Sequence, residues 1–343
     1  MIEIDGSQGE GGGQILRTSL ALSMVTGQPL RMTRIRAGRP RPGLMRQHLT
    51  CVEAAAAISG ASVDGAAVGS QTIEFRPGAL RAGSYAFNIG SAGGTTLVLQ
   101  AILPALLRAP GPSCVVVEGG THNLAAPPFH FLERALVPLL RRTGARIACT
   151  LERHGFYPVG GGRVVLEVEP PAQPLPLELP QRGDRVATRA TAMVSRLERA
   201  IAQREVDVLR DRLDLRESQA QIVHVEDAMC PGNAVLVELE FEHITEVFSA
   251  IGERARSAES VARDAAEQAR RYLAARAAVG PHLADQLMVP LAVLAGGSYS
   301  TGALTSHSKT NIETAARFGV RIACPQGRVE VAGLGAVTAG SVA

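Results

Sequence analysis

The chain has 343 residues, enough for one large or two ordinary domains, and its hydrophobic share of 46% is sufficient for a substantial core. A formal net charge of +3 with no Trp, 4 Tyr and 8 Phe argues against a protein that grips single-stranded nucleic acid mainly by aromatic stacking. The five scattered cysteines form no C-x-x-C pair, the N-terminus is acidic and polar, and no apolar run approaches the ~18 residues of a membrane span. These features disfavour a zinc site, a signal peptide and a membrane location, and they favour the reducing cytoplasm.

The first predicted elements alternate strands and helices around a glycine-rich turn. The pattern predicts a strand over residues 2–5, a helix over 14–26 and a strand over 31–36. An Ala-rich helix follows over 44–59, and two closing strands are expected at 61–64 and 72–75.

Three sets of matching residues indicate that this unit is repeated along the chain. The glycines of the first turn recur 81 residues later, a Gly cap between helix and strand occurs three times, and a Leu-x-x-Gln-x-x-x-Pro pattern occurs twice. The matching positions are Gly9, Gly12, Gly13 and Leu16 with Gly90, Gly93, Gly94 and Leu97; Gly60 with Gly144 and Gly319; and Leu97, Gln100 and Pro104 with Leu283, Gln286 and Pro290. We therefore predict an α/β (α+β) fold whose large domain, 1–182 and 277–343, contains three two-helix, four-strand units.

A smaller α/β domain is predicted over residues 183–276, inserted in the third unit. It follows a proline-rich stretch at 170–180 and has a strand of alternating apolar and acidic residues at 235–242. Ser257 is expected to cap a helix that begins at Ala258. The insertion has a net charge of −3 and the remainder +6, so the large domain is the better candidate for an anionic ligand.

Two stretches of the first unit suit phosphate groups. GSQGEGGGQILR at 6–17 places glycines before a helix N-terminus, but it lacks the Gly-Lys-Ser/Thr of a P-loop and the spacing of a dinucleotide-binding turn. Glu10 would repel a phosphate unless a divalent cation bridges them, so a structural turn and a metal-assisted phosphate site both stay open. Six arginines between residues 31 and 46, with no acid among them, favour an anionic partner over a solvated basic edge.

The stretch GGTHNLAAPPFHF at 119–131 again places a glycine turn before a helix that begins with prolines. Pro127 and Phe131 are four residues apart and could share a face that contacts a base or sugar. The plainer interpretation is a hydrophobic helix start, and the sequence alone favours it.

The stretch TSHSKTN at 305–311 contains His307 and the only lysine of the chain, Lys309. Thr310 and Glu313 have capping-box spacing, which predicts a helix that starts there with His307 just before it. A helix N-terminus lowers the pKa of a histidine and stabilises a bound phosphate, so a nucleophilic and a structural histidine both stay open.

Eight stretches spread over the whole chain match one known family. They are DGSQGEGGGQILR, IRAGRPRPGLMRQHLT, GSAGGTTLVLQ, GGTHNLAAPP, HGFYPVGGG, CPGN, VGPHLADQL and TSHSKTN. In these stretches the chain resembles the RNA 3′-terminal phosphate cyclases of the bacterial type. The resemblance implies three repeated α/β units with a late insertion, ATP and a divalent metal (Mg or Mn), and a substrate RNA with a 3′-phosphate end. It also implies a cytoplasmic RNA-processing ligase, with a homodimer left open.

The reaction implied by the resemblance has three steps. A histidine attacks ATP and becomes linked to AMP, AMP passes to the RNA 3′-phosphate, and the adjacent 2′-hydroxyl closes a 2′,3′-cyclic phosphate as AMP leaves. By motif match, His307 is the nucleophile and Glu10 holds the metal. The other implied contacts are Gln100, Pro127, Phe131, His282, Asp285 and Gln286 for the nucleotide, and Arg17, Arg36 and Arg39 for the RNA 3′-phosphate. His282 stands where relatives such as the enterobacterial enzyme have a tyrosine that stacks on adenine, so we expect a looser preference for ATP.

Two rival functions differ in class. A ribosome-assembly relative in eukaryotes is thought to bind without cyclase activity, but it lacks the nucleophilic histidine, whereas this chain has His307 with Glu10 and Gln100. An enzyme that carries AMP on lysine would use Lys309, but the K-x-D-G context of such ligases is absent.

Overall fold

The computed structural model of the protein describes residues 1–336 and confirms the predicted α/β class. Within that range the strands form four mixed sheets of four strands each. No helix among these residues is both long and apolar enough to cross a membrane.

The first sheet belongs to the N-terminal unit. Its elements are β1 (Ile2–Asp5), α1 (Gln14–Thr26), β2 (Leu30–Thr33), α2 (Arg46–Ser59), β3 (Ser62–Asp64) and β4 (Ile73–Arg76). The strand order is β1-β2-β4-β3, with β1 and β2 parallel and the other pairs antiparallel. Helix α1 has the predicted bounds because Gly27 takes the left-handed conformation (φ 70°) that ends it.

The second unit has the same order of strands and helices. Its elements are β5 (Ser84–Asn88), α3 (Thr95–Leu106), β6 (Ser113–Gly119), a helix made of α4 (Phe129–Phe131), a π-helical segment (Leu132–Leu136) and α5 (Val137–Arg141), then β7 (Arg146–Arg153) and β8 (Gly162–Glu169). The sheet order is β5-β6-β8-β7, with the parallel pair again first.

The third unit starts with β9 (Leu177–Leu179) and is then interrupted. The inserted elements are β10 (Arg185–Ser195), α6 (Arg199–Leu213), a 3₁₀ turn (Glu217–Gln219), β11 (Ala220–His224), β12 (Gly232–Phe241), β13 (Thr245–Ile251) and α7 (Ala258–Ala274). They form their own sheet in the order β11-β10-β12-β13. Ser257 caps α7 as predicted, because its side chain accepts a hydrogen bond from the Ser260 backbone N–H at 3.2 Å.

After the insertion the third unit resumes. It continues with α8 (Pro281–Val293), β14 (Gly296–Ser300), α9 (Ser306–Arg317), β15 (Ile322–Ala323), a 3₁₀ turn (Pro325–Gly327), β16 (Arg328–Ala332) and a last 3₁₀ turn (Leu334–Ala336). The sheet order β9-β14-β16-β15 again starts with a parallel pair. Three sheets thus share one topology, while the domain boundaries given above stay predictions.

Two predicted boundaries near the site are wrong. Strand β2 ends at Thr33 rather than at Arg36, because Arg34 and Arg36 take positive φ values of 53° and 52°. Helix α9 begins at Ser306, since Thr305 and not Thr310 is its cap: the Thr305 hydroxyl accepts a hydrogen bond from the Ser308 N–H at 2.9 Å. His307 therefore lies inside the first turn of the helix.

Helices of all three units pack against one another in a shared core. Helix α1 contacts α3, α8 and α9, and α3 also contacts α2 and α8. The apolar side chains of these helices, such as Leu16, Leu99 and Leu287, are fully buried in one continuous cluster. Several polar residues of the site, such as Arg17, Gln100 and Asp285, lie on the same helices, which therefore position them rigidly.

Candidate active site

The glycine-rich loop between β1 and α1 is held in place by α9. The Glu10 backbone N–H donates to the Thr310 hydroxyl at 3.0 Å, and Glu10 Oε1 accepts from the Gln14 N–H at 2.9 Å. Gly9 has φ 62°, and a Cβ there would overlap Thr310 Oγ1. Glu10 thus stabilises the N-terminus of α1.

The arginine-rich loop after β2 covers this carboxylate. Arg39 Nη2 lies 2.8 Å from Glu10 Oε2, and the Glu10 side chain is only 6% exposed. Arg36 has a different task, because its Nη1 donates to the carbonyls of Arg41 at 2.7 Å and Gly43 at 2.9 Å. Its guanidinium fixes the loop conformation that brings Arg39 to Glu10.

Arg17 lies one turn into α1 and is almost fully buried. Its Nε donates to Gln100 Oε1 at 2.9 Å, and its Nη2 donates to Gln14 Oε1 at 2.7 Å. Burial lowers the pKa of Arg17, and the nearby Glu10 and Asp285 oppose that shift. The hydrogen bond between Arg17 and Gln100 joins α1 to α3, so two residues predicted from separate motifs are in direct contact.

Helix α8 completes a narrow cleft between the helices. Asp285 and Gln286 line it together with Arg17 and Gln100. Burial raises the pKa of Asp285 to about 7, although the Gln286 amide donates to its Oδ1 at 3.0 Å. Four of the predicted site residues therefore share one cleft.

His307 is half-buried beside the Glu10 loop. Its Nδ1 is buried and has no hydrogen-bond partner within residues 1–336. Burial lowers the pKa of His307; Glu10 opposes the shift, whereas Arg17 and Arg39 reinforce it. The imidazole is consequently neutral at pH 7, the form that a nucleophile requires.

His282 and Lys309 differ in their relation to His307. Burial lowers the pKa of His282, and repulsion from His307, when that imidazole is protonated, lowers it further. Lys309 is exposed, and two residues of α-helix correspond to a rotation of about 200°, so it lies on the opposite side of α9.

Of the two residues singled out in the 119–131 stretch, Pro127 lies closer to the site than Phe131. The Pro127 carbonyl accepts a hydrogen bond from Thr96 Oγ1 at 2.7 Å, which ties this loop to α3 one turn before Gln100. Phe131 is 4% exposed and belongs to the hydrophobic core. Their contact with adenosine stays a prediction, and for Phe131 the core location favours the plainer structural interpretation.

Two buried polar residues near the site escaped the sequence analysis. Asn311 is fully buried: its Oδ1 accepts from Gln14 Nε2 at 3.0 Å and Thr18 Oγ1 at 2.6 Å, while its Nδ2 donates to the Asp285 carbonyl at 2.9 Å. It thereby joins α1, α8 and α9. His48 accepts the Met45 N–H at 3.2 Å, and burial lowers its pKa to about 3. Both lie inside the matched motifs, but nothing in the motifs signals these partners.

The residues at Glu10 fit a divalent cation that is held mainly by phosphate oxygens and water. Within residues 1–336 no group of three or more His, Cys, Asp or Glu side chains is arranged to hold a metal. Magnesium commonly binds through one or two carboxylates plus substrate phosphates, so a single carboxylate is sufficient. Arg39 would have to move away from the Glu10 oxygen that it now contacts.

Known proteins resemble this chain over most of its length. The sequence model of the RTC family, described as RNA 3′-terminal phosphate cyclase, matches residues 8–324. The chain belongs to the RNA 3′-terminal phosphate cyclase family. A curated RNA 3′-terminal phosphate cyclase from Koribacter versatilis (strain Ellin345) is 50% identical over 313 residues, which is 91% of this chain and 88% of that protein. The predicted family, and with it an enzyme of the ligase type, is confirmed.

Among solved structures, this cyclase-family chain matches the enolpyruvyl transferase NikO from Streptomyces tendae. The match has 18% sequence identity and a TM-score of 0.26, and it covers 49% of this chain and 33% of that protein. A likeness at this level carries no argument about fold or function.

Proposed function

We propose that the protein converts an RNA 3′-phosphate to a 2′,3′-cyclic phosphate at the expense of ATP, through a covalent intermediate in which AMP is linked to His307. The observation that carries the proposal is a neutral, half-buried imidazole in the first turn of α9 beside Glu10 and Arg39. Membership of the cyclase family supports the substrate, and the site supports the chemistry.

The first step forms one bond and breaks another at the α-phosphorus of ATP. A ring nitrogen of His307 attacks, the bond to the bridging oxygen breaks, and pyrophosphate leaves. Because the imidazole is neutral, its lone pair is available without prior loss of a proton. Arg39 and the N-terminus of α9 stabilise the negative charge that develops on the phosphate groups.

Glu10 would hold a divalent cation when the triphosphate is bound. That ion supplies charge neutralisation for the leaving pyrophosphate. The protein's own contribution is the orientation of the Glu10 carboxylate, which the Gln14 N–H fixes at 2.9 Å.

In the second and third steps the RNA supplies both reacting oxygens. A 3′-phosphate oxygen attacks the phosphorus of AMP, the P–N bond breaks, and His307 regains its lone pair. The 2′-hydroxyl then attacks the 3′-phosphorus, loses its proton, and expels AMP. Arg17, Arg36 and Arg39 would bind the RNA phosphate, and Arg36 also fixes the loop that carries Arg39.

Helices α8 and α3 would supply the contacts to the adenosine part of ATP. His282, Asp285 and Gln286 on α8, with Gln100 on α3, would contact the nucleotide, and three of them, Asp285, Gln286 and Gln100, line one cleft with Arg17. Imidazole offers less stacking area than a phenol ring, so His282 predicts a modest discrimination between ATP and GTP. A cytoplasmic location and a homodimer stay predictions.

Incubation with α-labelled ATP and Mg²⁺ or Mn²⁺, followed by denaturation, tests the intermediate. Label is expected on the wild type and on Lys309→Ala, and none on His307→Asn, which has a similar polarity but no imidazole. If label survives in His307→Asn and disappears in Lys309→Ala, the nucleophile is Lys309 and not His307. Binding of 3′-phosphorylated RNA with no label on any variant would favour the non-catalytic alternative.

A further inference from the structure

The inserted unit reaches the start of helix α8 through one buried carboxyl group. Glu246 on β13 is 2% exposed, and its Oε1 accepts a hydrogen bond from the Gly280 N–H at 2.6 Å. Gly280 is the residue that caps α8, and α8 has no side-chain cap of its own there. A Cβ at Gly280 would lie 3.0 Å from both carboxyl oxygens, so the absence of a side chain at this position permits the approach.

A second contact fastens the same segment to the insertion. The Tyr272 hydroxyl on α7 donates to the Ala278 carbonyl at 2.6 Å. Arg182, at the entry to the insertion, donates to the Tyr272 carbonyl at 2.8 Å and lies 4.8 Å above the rings of both Tyr272 and Phe241. The chain entering the insertion and the chain leaving it are therefore held at one point.

The large domain holds the other side of this segment. The N–H groups of Ala278 and Val279 donate to the side chain and carbonyl of Ser300 at 2.9 and 3.0 Å. The Thr301 hydroxyl donates to the Val279 carbonyl at 3.0 Å. The start of α8 is thus clamped between β14 of the large domain and Glu246 of the insertion.

Movement at this clamp would be transmitted to the nucleophile. The first turn of α8 connects its cap, Gly280, to Asp285, whose carbonyl accepts a hydrogen bond from the Asn311 amide at 2.9 Å. Asn311 lies one turn beyond His307 on α9. Rigid helices and buried hydrogen bonds connect Glu246 to the reacting imidazole without a gap.

We propose that Glu246 is a positioning residue for nucleotide binding, and that the inserted unit serves the reaction by fixing the N-terminus of α8. This inference rests on the proposed function, in which α8 carries the nucleotide contacts His282, Asp285 and Gln286. It gives the insertion a role inside the catalytic cycle.

The electrostatics of Glu246 indicate which replacement preserves this role. Burial raises its pKa to about 8, opposed by the Gly280 N–H, so the group is mostly uncharged at pH 7. Tyr272, against which Arg182 stacks, is a titratable group that faces it. A glutamine has the size of the uncharged acid and retains an acceptor oxygen for Gly280, whereas an alanine leaves that N–H buried and unpaired.

The inserted unit offers a matched control. Glu205 on α6 is also fully buried, burial raises its pKa to about 7, and its Oε2 accepts from Asn233 Nδ2 at 2.8 Å. Both partners belong to the insertion, so Glu205→Ala disturbs that unit without touching α8.

The test measures ATP binding by calorimetry and the KM and kcat of RNA cyclisation, at a temperature where every variant is folded by circular dichroism. Glu246→Ala should weaken ATP binding and raise the KM for ATP by about 10-fold or more. The reason is that the Gly280 N–H, left buried and unpaired, no longer holds α8 in the geometry that binds the nucleotide. Glu246→Gln should stay within about 3-fold of the wild type, and so should Glu205→Ala.

Two results would overturn the inference. One is unchanged ATP binding in folded Glu246→Ala, and the other is an equal loss in Glu205→Ala, which would indicate general softening of the insertion. Failure of the proposed function has a different signature, because a wild type that binds ATP but never labels His307 refutes the intermediate. The binding ratio between Glu246→Ala and Glu246→Gln still decides the positioning role in that case.

Discussion

Asn311 joins helices α1, α8 and α9, and its replacement should destabilise the junction of these three helices. It is fully buried and makes three hydrogen bonds to α1 and α8. The change Asn311→Ala removes all three and leaves groups of Gln14, Thr18 and Asp285 without this partner. Helix α9 would then be joined to its neighbours mainly by apolar contacts.

The size of the effect follows from which groups stay unpaired. The Thr18 hydroxyl can rotate toward another acceptor, but the Gln14 amide and the Asp285 carbonyl are buried and lose their partner. Each such group costs about 1–3 kcal/mol, and a water that enters the polar gap recovers part of this. We expect Asn311→Ala to lower the free energy of unfolding by about 3 kcal/mol.

Urea unfolding, followed by circular dichroism and by tyrosine fluorescence, measures this free energy, and agreement of the two probes checks that unfolding has two states. The control is Asn88→Ala, because Asn88 is exposed although it also makes hydrogen bonds, to Glu118 Oε2 at 3.0 Å and from the Gly90 N–H at 2.7 Å. Asn88→Ala should lower the free energy of unfolding by less than about 1 kcal/mol.

A third variant, Asn311→Asp, tests the two sides of the network separately. It retains the acceptor for Gln14 and Thr18 but replaces the donor to the Asp285 carbonyl with an oxygen. The loss should be at least that of Asn311→Ala, about 3 kcal/mol or more, because the new carboxylate is buried and faces the Asp285 carbonyl oxygen. If Asn311→Ala were no less stable than Asn88→Ala, the reasoning that this network holds the three helices together would be refuted.

Three further predictions concern pH and the glycine-rich loop. Because folding raises the pKa of Glu246 from 4.5 to about 8, its stabilisation is complete below pH 4.5 and is lost as pH rises through about 8; thermal melts of Glu246→Gln should therefore lose less stability than the wild type between pH 5 and pH 9, and parallel curves would contradict this. Because the pKa of His307 is lowered from 6.5, the single-turnover rate of labelling should fall only below pH 6.5, and an inflection above that value would count against a neutral nucleophile. Gly9→Ala, which overlaps Thr310, should lose at least about 10-fold in labelling rate, whereas Gly27→Ala, with a similar φ but open space, should reduce stability by about 1 kcal/mol and leave the rate nearly unchanged; equal rates for the two variants would argue against the fit of the loop to α9.

The local elements near the site could largely be predicted from the sequence. The bounds of β1 and α1 agree with the prediction because the signals are local: a glycine-rich turn precedes α1, apolar residues recur at helical spacing, and Gly27 ends the helix. The family also follows from the sequence, since long motifs that contain Glu10, Gln100 and His307 match it.

The boundaries that were wrong depend on partners far away in the chain. Nothing in the letters around Arg36 signals a positive φ, which is stabilised by hydrogen bonds from its guanidinium to the carbonyls of Arg41 and Gly43. Thr310 has the residue type of a cap, but its hydroxyl accepts the Glu10 N–H and donates to Ser306 O, while Thr305 caps the helix.

The sequence by itself determined the family and the candidate reacting groups, because the types and local spacing of these residues are written in contiguous motifs. Only the tertiary structure decided which of them meet. Gln14 and Asn311 are separated by 297 residues, Arg17 and Gln100 by 83, and Glu246 and Gly280 by 34. The physical reason is that a buried polar group is unfavourable unless it is hydrogen-bonded. The packing of the three units and the insertion determines which partner lies within reach.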